Sequence, residues 1–337
     1  MVLMPSTVIR MIIALVAFGI TALSGFVVIP YLRRLKAGAH ILDIGPAWHK
    51  AKEGTPIMGG IMFILGTILA GVMGLFVCAG DKLIIKENVI DLVIGVVMAL
   101  LFTGVGFIDD FVKVVKKQNE GLTAKQKTVL QLLIAVGYLL ARYIWGDTDT
   151  TIWFPFLGEI DFWYFYYPLM IVFIYFMVNS VNLTDGVDGL CGCVTLVYTV
   201  CFSAICTIFK SAEWSVFTFA LAGAMLGYLV WNLHPAKVMM GDTGSMFLGG
   251  SVVAVGFAMN MEFLIAVAGI IYVCESLSVV LQVISVKTRH GKKLFKMSPI
   301  HHHFELCKWG EYTICGIFSL VGFLFGVLAI WAAHSSL

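Results

Sequence analysis

Apolar runs of about 20 residues alternate with short polar segments along the whole chain. A helix needs about 20 apolar residues to cross the hydrocarbon of a bilayer. The pattern predicts ten such helices, over 11–32, 57–79, 89–108, 127–145, 165–181, 188–209, 215–233, 244–260, 263–286 and 312–334. Of the 22 Lys and Arg residues, 17 fall on one side of these runs; the other five are Arg10, Lys82, Lys86, Arg142 and Lys210. Cytoplasmic loops carry the excess of Lys and Arg, so the bias predicts both termini outside.

Composition supports this reading. The chain has 337 residues, 60% of them hydrophobic and 12% charged, against about 25% charged in a soluble domain. The expected fold class is an all-α polytopic membrane protein, one integral-membrane domain over 1–337. The first run is too long for a signal-peptide core and no A-x-A site closes it, so it reads as an uncleaved helix. Cys191, Cys193, Cys201 and Cys206 lie in one apolar run, and Cys274 and Cys315 in others, which fits small buried hydrophobes and no disulfide framework. One outer loop departs from the pattern. TIWFPFLGEIDFWYF alternates aromatic and polar residues around Leu157-Gly158 and reads either as a small β-hairpin near 151–164 or as a plain aromatic belt.

The acidic segments share the Lys-rich side: 109–127, 182–190, 234–245 and 298–305. A membrane face that gathers carboxylates, lysines and histidines suits a polar, anionic substrate. Asp109 and Asp110 close the third run. Two carboxylates at a helix C-terminus oppose the macrodipole and repel each other, so they call for a metal or nearby lysines. Thr123-Ala-Lys125-Gln126 is a capping box that starts the fourth helix. Lys125 then sits in the first turn, either as an anion-binding residue or as an ordinary cytoplasmic lysine. In Asn182-Leu-Thr-Asp185-Gly-Val-Asp188-Gly, glycines allow a tight turn and the carboxylates either face a ligand or cap a helix. Gly241-Asp242-Thr-Gly-Ser245 opens the eighth run; Asp242 suits Mg²⁺, which can bridge phosphates.

Zinc is disfavoured at His301-His302-His303, because adjacent histidines rarely converge on one metal and no Cys or H-x-x-x-H pattern supports it. Imidazoles that donate to phosphate or fix the loop are preferred. Glu275 lies inside the ninth run. It is a functional candidate as an intramembrane carboxylate, or a buried partner of Ser276 or Ser278.

HKAKEGTPIMGG (49–60), DDFVKVV with GLTAKQK, NSVNLTDGVDGL, PAKVMMGDTGS and SPIHHHFE together resemble the phospho-N-acetylmuramoyl-pentapeptide transferases, within the polyprenyl-phosphate N-acetylhexosamine-1-phosphate transferases. The resemblance runs nearly end to end, and HHH followed by Phe-Glu is its most specific part. Ile57 departs from it, since Thr is expected there. The resemblance implies ten transmembrane helices, Mg²⁺ dependence and a homodimer in the bacterial inner membrane, with the active site on the cytoplasmic face. The implied reaction moves phospho-muramoyl-pentapeptide from its UDP carrier to undecaprenyl phosphate, giving lipid I and UMP for peptidoglycan synthesis. Nucleoside antibiotics such as tunicamycin and muraymycin are the implied inhibitors, and no nucleic-acid partner is expected.

Carried over residue by residue, the resemblance makes Asp109, Asp110, Asp242, Lys125 and His301 catalytic. Asp109 would deprotonate the lipid phosphate, and Asp242, with the Asp109–Asp110 pair, would hold the metal. Lys52, Thr55, Asn182, Asp185, Asp188, Asn232, Gly241, Ser245, Gln282, His302 and His303 are the implied substrate-binding residues. The competing readings are a sibling transferase using another UDP-N-acetylhexosamine and, in a different class, a secondary transporter. A transporter places its ionisable groups near the midplane, where Glu275 alone is expected.

Overall fold

The computed structural model describes residues 7–35, 54–80, 86–116 and 121–336. Each predicted apolar run is helical. In order they are α1 (Thr7–Arg34), α2 (Gly60–Gly80), α3 (Lys86–Lys116), α4 (Ala124–Ile144), α5 (Tyr166–Thr184), α6 (Leu190–Ile208), α7 (Ala212–Asn232), α8 (Gly241–Ala258), α9 (Glu262–Ala268), α10 (Ile270–Thr288) and, after the short α11 (Ile300–Glu305), α12 (Glu311–Ser335). Among the described residues nine helices are long and apolar enough to cross a membrane: α1 to α7, α10 and α12. The chain is a multi-pass membrane protein.

The eighth predicted span, 244–260, is not among these nine, for a physical reason. It corresponds to the 18-residue α8, whose first turn is spent on glycines and Asp242. Helix α8 is also enclosed, with Met246, Phe247, Leu248 and Val253 fully buried. The predicted span 263–286 is two helices, α9 and α10, broken at Gly269, a residue of low helix propensity.

Helix α8 packs against α3, α5 and α2 and makes the centre of the bundle. Small residues bring the backbones together, as is usual between membrane helices. A Cβ on Gly250 would lie 2.7 Å from the Ala99 Cα of α3, and one on Gly249 2.8 Å from the Val178 Cα of α5. Helices α1, α4 and α12 lie outside this core. They expose Leu15, Leu23 and Phe26, Leu133 and Leu140, and Leu320 and Leu324, as helices facing lipid must.

The loop 146–165 forms the expected hairpin. Strands β1 (Thr151–Phe154) and β2 (Gly158–Asp161) pair antiparallel, with Thr151 opposite Asp161 and Phe154 opposite Gly158. The capping box also forms: Thr123 accepts the Gln126 N–H, and Gln126 accepts the Thr123 N–H at 3.0 Å.

Candidate active site

Three helix ends meet at one pole of the bundle: the C-terminal part of α3 and the N-termini of α4 and α8. Close backbone approach makes this possible. A Cβ on Gly106 of α3 would lie 2.1 Å from the Asp242 carbonyl oxygen, and one on Gly121 2.5 Å from the Asp109 carboxyl carbon. Asp109, Asp110 and Asp242 come together there, each with a carboxylate oxygen within 4.8 Å of the others.

Three like charges at this spacing need counter-charge. Lys113 Nζ lies 2.6 Å from Asp109 Oδ2, 3.8 Å from Asp110 Oδ1 and 3.2 Å from Asp242 Oδ2. Lys127 Nζ donates to Asp242 Oδ2 at 2.8 Å. Burial disfavours the Asp242 carboxylate, but Lys127 and Lys113 outweigh it and hold its pKa below the ordinary carboxylate range. Asn182 Nδ2 donates to Asp242 Oδ1 and to Ser245 Oγ, both at 2.8 Å, and Ser245 donates to the Gly241 carbonyl.

Asp110 faces another way. Its Oδ2 accepts the Thr243 N–H at 2.9 Å and the Thr243 hydroxyl at 2.7 Å, and its Oδ1 accepts the Asp242 N–H at 3.2 Å. It caps the first turn of α8, where a carboxylate complements the helix dipole. Gly241 is in the left-handed region (φ 69°), and a Cβ there would meet Asp110 Oδ2 at 2.5 Å.

The donor set fits a hard divalent cation. All three groups are carboxylates, the oxygen ligands such ions prefer, and Asp109 and Asp242 are the pair not consumed by α8. The acidic cluster is thus one that could hold a metal.

A second group lies beside it on the same pole. His234 Nδ1 is 3.1 Å from Asp188 Oδ2 and 3.2 Å from Glu311 Oε1. Glu311 Oε2 accepts the Asp188 N–H at 2.9 Å. Asn232 accepts the Gly189 N–H at 3.1 Å and donates to the Val238 carbonyl at 2.9 Å. Asp188, His234 and Glu311, with Thr55, Glu305 and Trp309, line a cavity of about 580 Å³.

Other predicted residues are placed as follows. Lys125 is exposed, while Lys127 reaches Asp242; residues two apart point to opposite sides of a helix. His301 is buried against Glu275, so Glu275 is paired with neither neighbouring serine. His302 Nδ1 sits 2.6 Å from Glu305 Oε2, and His303 Nδ1 accepts the Lys296 N–H. Gln282 spends its amide on the 294–295 backbone: Oε1 accepts the Leu294 and Phe295 N–H groups and Nε2 donates to the Phe295 carbonyl. Asp185 sits in the turn after α5. Lys52 lies outside the described residues.

Lys113, Lys127, His234 and Glu311 are the residues the sequence reading missed. Lys113 carried a signal, standing one helical turn from both aspartates. His234 and Glu311 carried none, being 46 and 123 residues from Asp188.

Comparison with known proteins shows the family. The profile of glycosyl transferase family 4 matches residues 92–260, which hold both aspartate segments and the Asn182 loop. The chain is 43% identical over 318 residues to the phospho-N-acetylmuramoyl-pentapeptide-transferase of Halalkalibacterium halodurans, covering 94% of this chain and 95% of that protein. The protein of the same name from Clostridium perfringens is 41% identical over 315 residues, covering 93% and 95%. That from Bacillus thuringiensis is 41% identical over 320 residues, covering 94% and 95%.

Proposed function

Because this chain belongs to the phospho-N-acetylmuramoyl-pentapeptide-transferase family, and so is a transferase of peptidoglycan synthesis, we propose that it moves phospho-N-acetylmuramoyl-pentapeptide from UDP to undecaprenyl phosphate. The products are lipid I and UMP. The observation that carries the reading is the convergence of Asp109, Asp110 and Asp242 with Lys113 and Lys127 at one pole. Phosphoryl transfer between two anions is chiefly a matter of alignment and charge neutralisation.

In this mechanism a lipid phosphate oxygen attacks the sugar-bearing phosphorus, and the bond from that phosphorus to the UMP oxygen breaks. Asp109 takes the proton of the acceptor phosphate when it carries one. Asp242 and Asp109 would hold Mg²⁺, which would supply neutralising charge for the diphosphate. Asp110 fixes Asp242 by capping α8. Lys113 and Lys127 are already aimed at the anionic pole, and Lys125, from the exposed side of the same helix, adds to its field. Asn182, Ser245 and Gly241 set the Asp242 carboxylate and the α8 N-terminus. Thr55, Asp185, Asp188, Asn232 and His302 serve the nucleotide side, around the 580 Å³ cavity that Thr55 and Asp188 line. Gln282 of α10 and His303 of α11 serve the same side, and Lys52 is a further substrate-binding residue. His301 is needed for activity through the contacts described below.

The same reading takes α8 as the tenth crossing. It places both termini outside, the acidic pole on the cytoplasmic face of the bacterial inner membrane, and the protein in a homodimer. A cysteine at Lys293 would then be labelled from the cytoplasm and one at Asp149 from outside; labelling from one side would overturn the map.

The decisive assay uses purified protein, UDP-muramoyl-pentapeptide, undecaprenyl phosphate and Mg²⁺. UMP should form, stop on chelation, and be suppressed by tunicamycin or muraymycin. Faster release from UDP-N-acetylglucosamine than from the muramoyl donor would instead identify a sibling transferase.

A further inference from the structure

Glu275 is fully buried within α10, in the otherwise uncharged stretch IIYVCESLSVV. A buried carboxylate is costly unless it is paired, so its partner matters. The neighbouring serines are not that partner. Ser278 gives its hydroxyl to the Glu275 backbone carbonyl at 2.6 Å, and Ser276 pairs with Ser180 at 2.7 Å. The carboxylate instead holds His301 of α11: Glu275 Oε2 lies 3.0 Å from His301 Nδ1 and 3.4 Å from its backbone nitrogen.

The far side of the imidazole is the informative one. His301 Nε2 is buried and has no hydrogen-bond partner. It abuts Gly186, where a Cβ would come within 2.2 Å of Nε2 and 2.7 Å of Cε1. The ring is thus seated on the backbone of the turn between α5 and α6, the turn that runs from Asp185 to Asp188. Seven residues beyond Glu275, two turns further along the same face of α10, Gln282 holds the backbone at Leu294 and Phe295. Helix α10 therefore grips the segment 294–301 at both ends and presses one of its side chains onto the turn.

We propose that Glu275 is a positioning residue: it fixes the His301 ring, and the ring fixes the Asp185–Asp188 turn through the notch that Gly186 leaves. This rests on the function proposed above and extends it. It assigns His301 an action through the nucleotide-side turn, and gives a purpose to the intramembrane carboxylate. Glu275 touches no reacting atom in this scheme.

Two readouts test it. The first needs no substrate: hydrogen exchange of the 185–190 amides in detergent, followed by mass spectrometry. Glu275→Leu should speed that exchange by about 10-fold, as local opening becomes easier. The second is kinetic. Glu275→Leu should raise KM for the UDP-linked donor about 10-fold while kcat stays within about 3-fold, the pattern of lost binding rather than lost chemistry. Glu275→Gln, whose amide oxygen can still accept the Nδ1–H, should recover most of both losses. Gly186→Ala removes no buried contact and should reproduce Glu275→Leu, so it carries the test if Glu275→Leu does not fold. The double variant should be no worse than either single one, because both act through one contact chain. Unchanged exchange in both variants would overturn the proposal. So would a fall in kcat with KM unchanged, which would put His301 on the reacting atoms. If the wild-type protein fails to turn over the donor, the functional reading falls, and the exchange data still judge the positioning role.

Discussion

Two charged poles sit at opposite ends of α3, and they are built on opposite principles. At one end Asp109, Asp110 and Asp242 meet Lys113 and Lys127. At the other, Asp91 and Asp147 meet Arg142. Asp91 and Asp109 are 18 residues apart on one helix, about 27 Å at the rise of an α-helix. In the contacts named, each pole carries one carboxylate more than its cations, so net charge does not distinguish them.

Geometry does. The Arg142 guanidinium is consumed by the protein. Nη1 donates to Asp91 Oδ1 at 2.8 Å, and Nη2 to Asp147 and to the Phe257 carbonyl. The group also lies 5.8 Å from the Tyr138 ring centre and 5.9 Å from that of Phe257. Asp91 in turn accepts the Trp214 indole N–H. This is a clamp that ties α3, α4, α7 and α8 together, and the planar fork of arginine suits such fixed pairing. At the acidic pole the cations are lysines, flexible point charges with side chains 27% and 19% exposed. They neutralise three convergent carboxylates yet can swing toward phosphate oxygens and leave the carboxylates to a metal. On the function proposed above, an arginine spent on fixed partners serves the structure, whereas carboxylates held by flexible lysines serve the site.

That contrast can be broken by experiment. The largest effect expected is loss of transfer in Asp242→Ala, on the order of 10³-fold, the upper end of what one electrostatic contact with the reacting charge supplies. Its thermal unfolding in detergent should stay close to wild type; a large fall in melting temperature with activity retained would make the acidic pole structural. Asp109→Asn should cost about 10²-fold, in the range of general acid–base catalysis. Its residual rate should rise as pH passes about 6, where a phosphate monoester loses its second proton unaided. A pH-independent residue of activity would remove Asp109 as the base. Arg142→Ala should show the mirror image, with stability lowered by about 1–2 kcal/mol, because Asp91 and Asp147 are partly exposed and the charge left behind is screened, and kcat little changed in the folded fraction. Denaturant titration beside the kinetic assay separates the two. The smallest effect sharpens the comparison within the acidic pole. Lys127→Ala should slow transfer roughly 10-fold, about 1.4 kcal/mol, and Lys125→Ala by less than about 2-fold, since exposed charges are screened. The reverse order would show that Lys125 turns inward when substrate binds.

Which features were legible in the sequence follows from the range of the interaction behind each. Hydropathy and capping act within one helix. The helices therefore lie where the apolar runs put them, and the Thr123 capping box closes as its T-x-x-Q spacing requires. The hairpin formed because aromatic alternation and a turn at its middle are local signals. The convergence of aspartates was half legible, since segregation of charge put all of them on one side without saying which would touch.

The remainder needed the tertiary structure. Spacing placed Lys125 at the helix start, but only the rotation of α4 against α8 decided that Lys127 reaches Asp242. Enclosure of α8 by its neighbours let a helix of 18 residues with a polar first turn lie at the centre of the bundle. Glu275 pairs with His301 across 26 residues, and Asp188 is bracketed by His234 and Glu311 across 46 and 123. By itself the sequence determined the helices, their caps and the side on which charge collects, because those are set by transfer to lipid and by neighbours along one helix. The packing of helix against helix decided which cation meets which carboxylate, because a side chain's partner across the bundle depends on rotation and depth that local spacing does not encode.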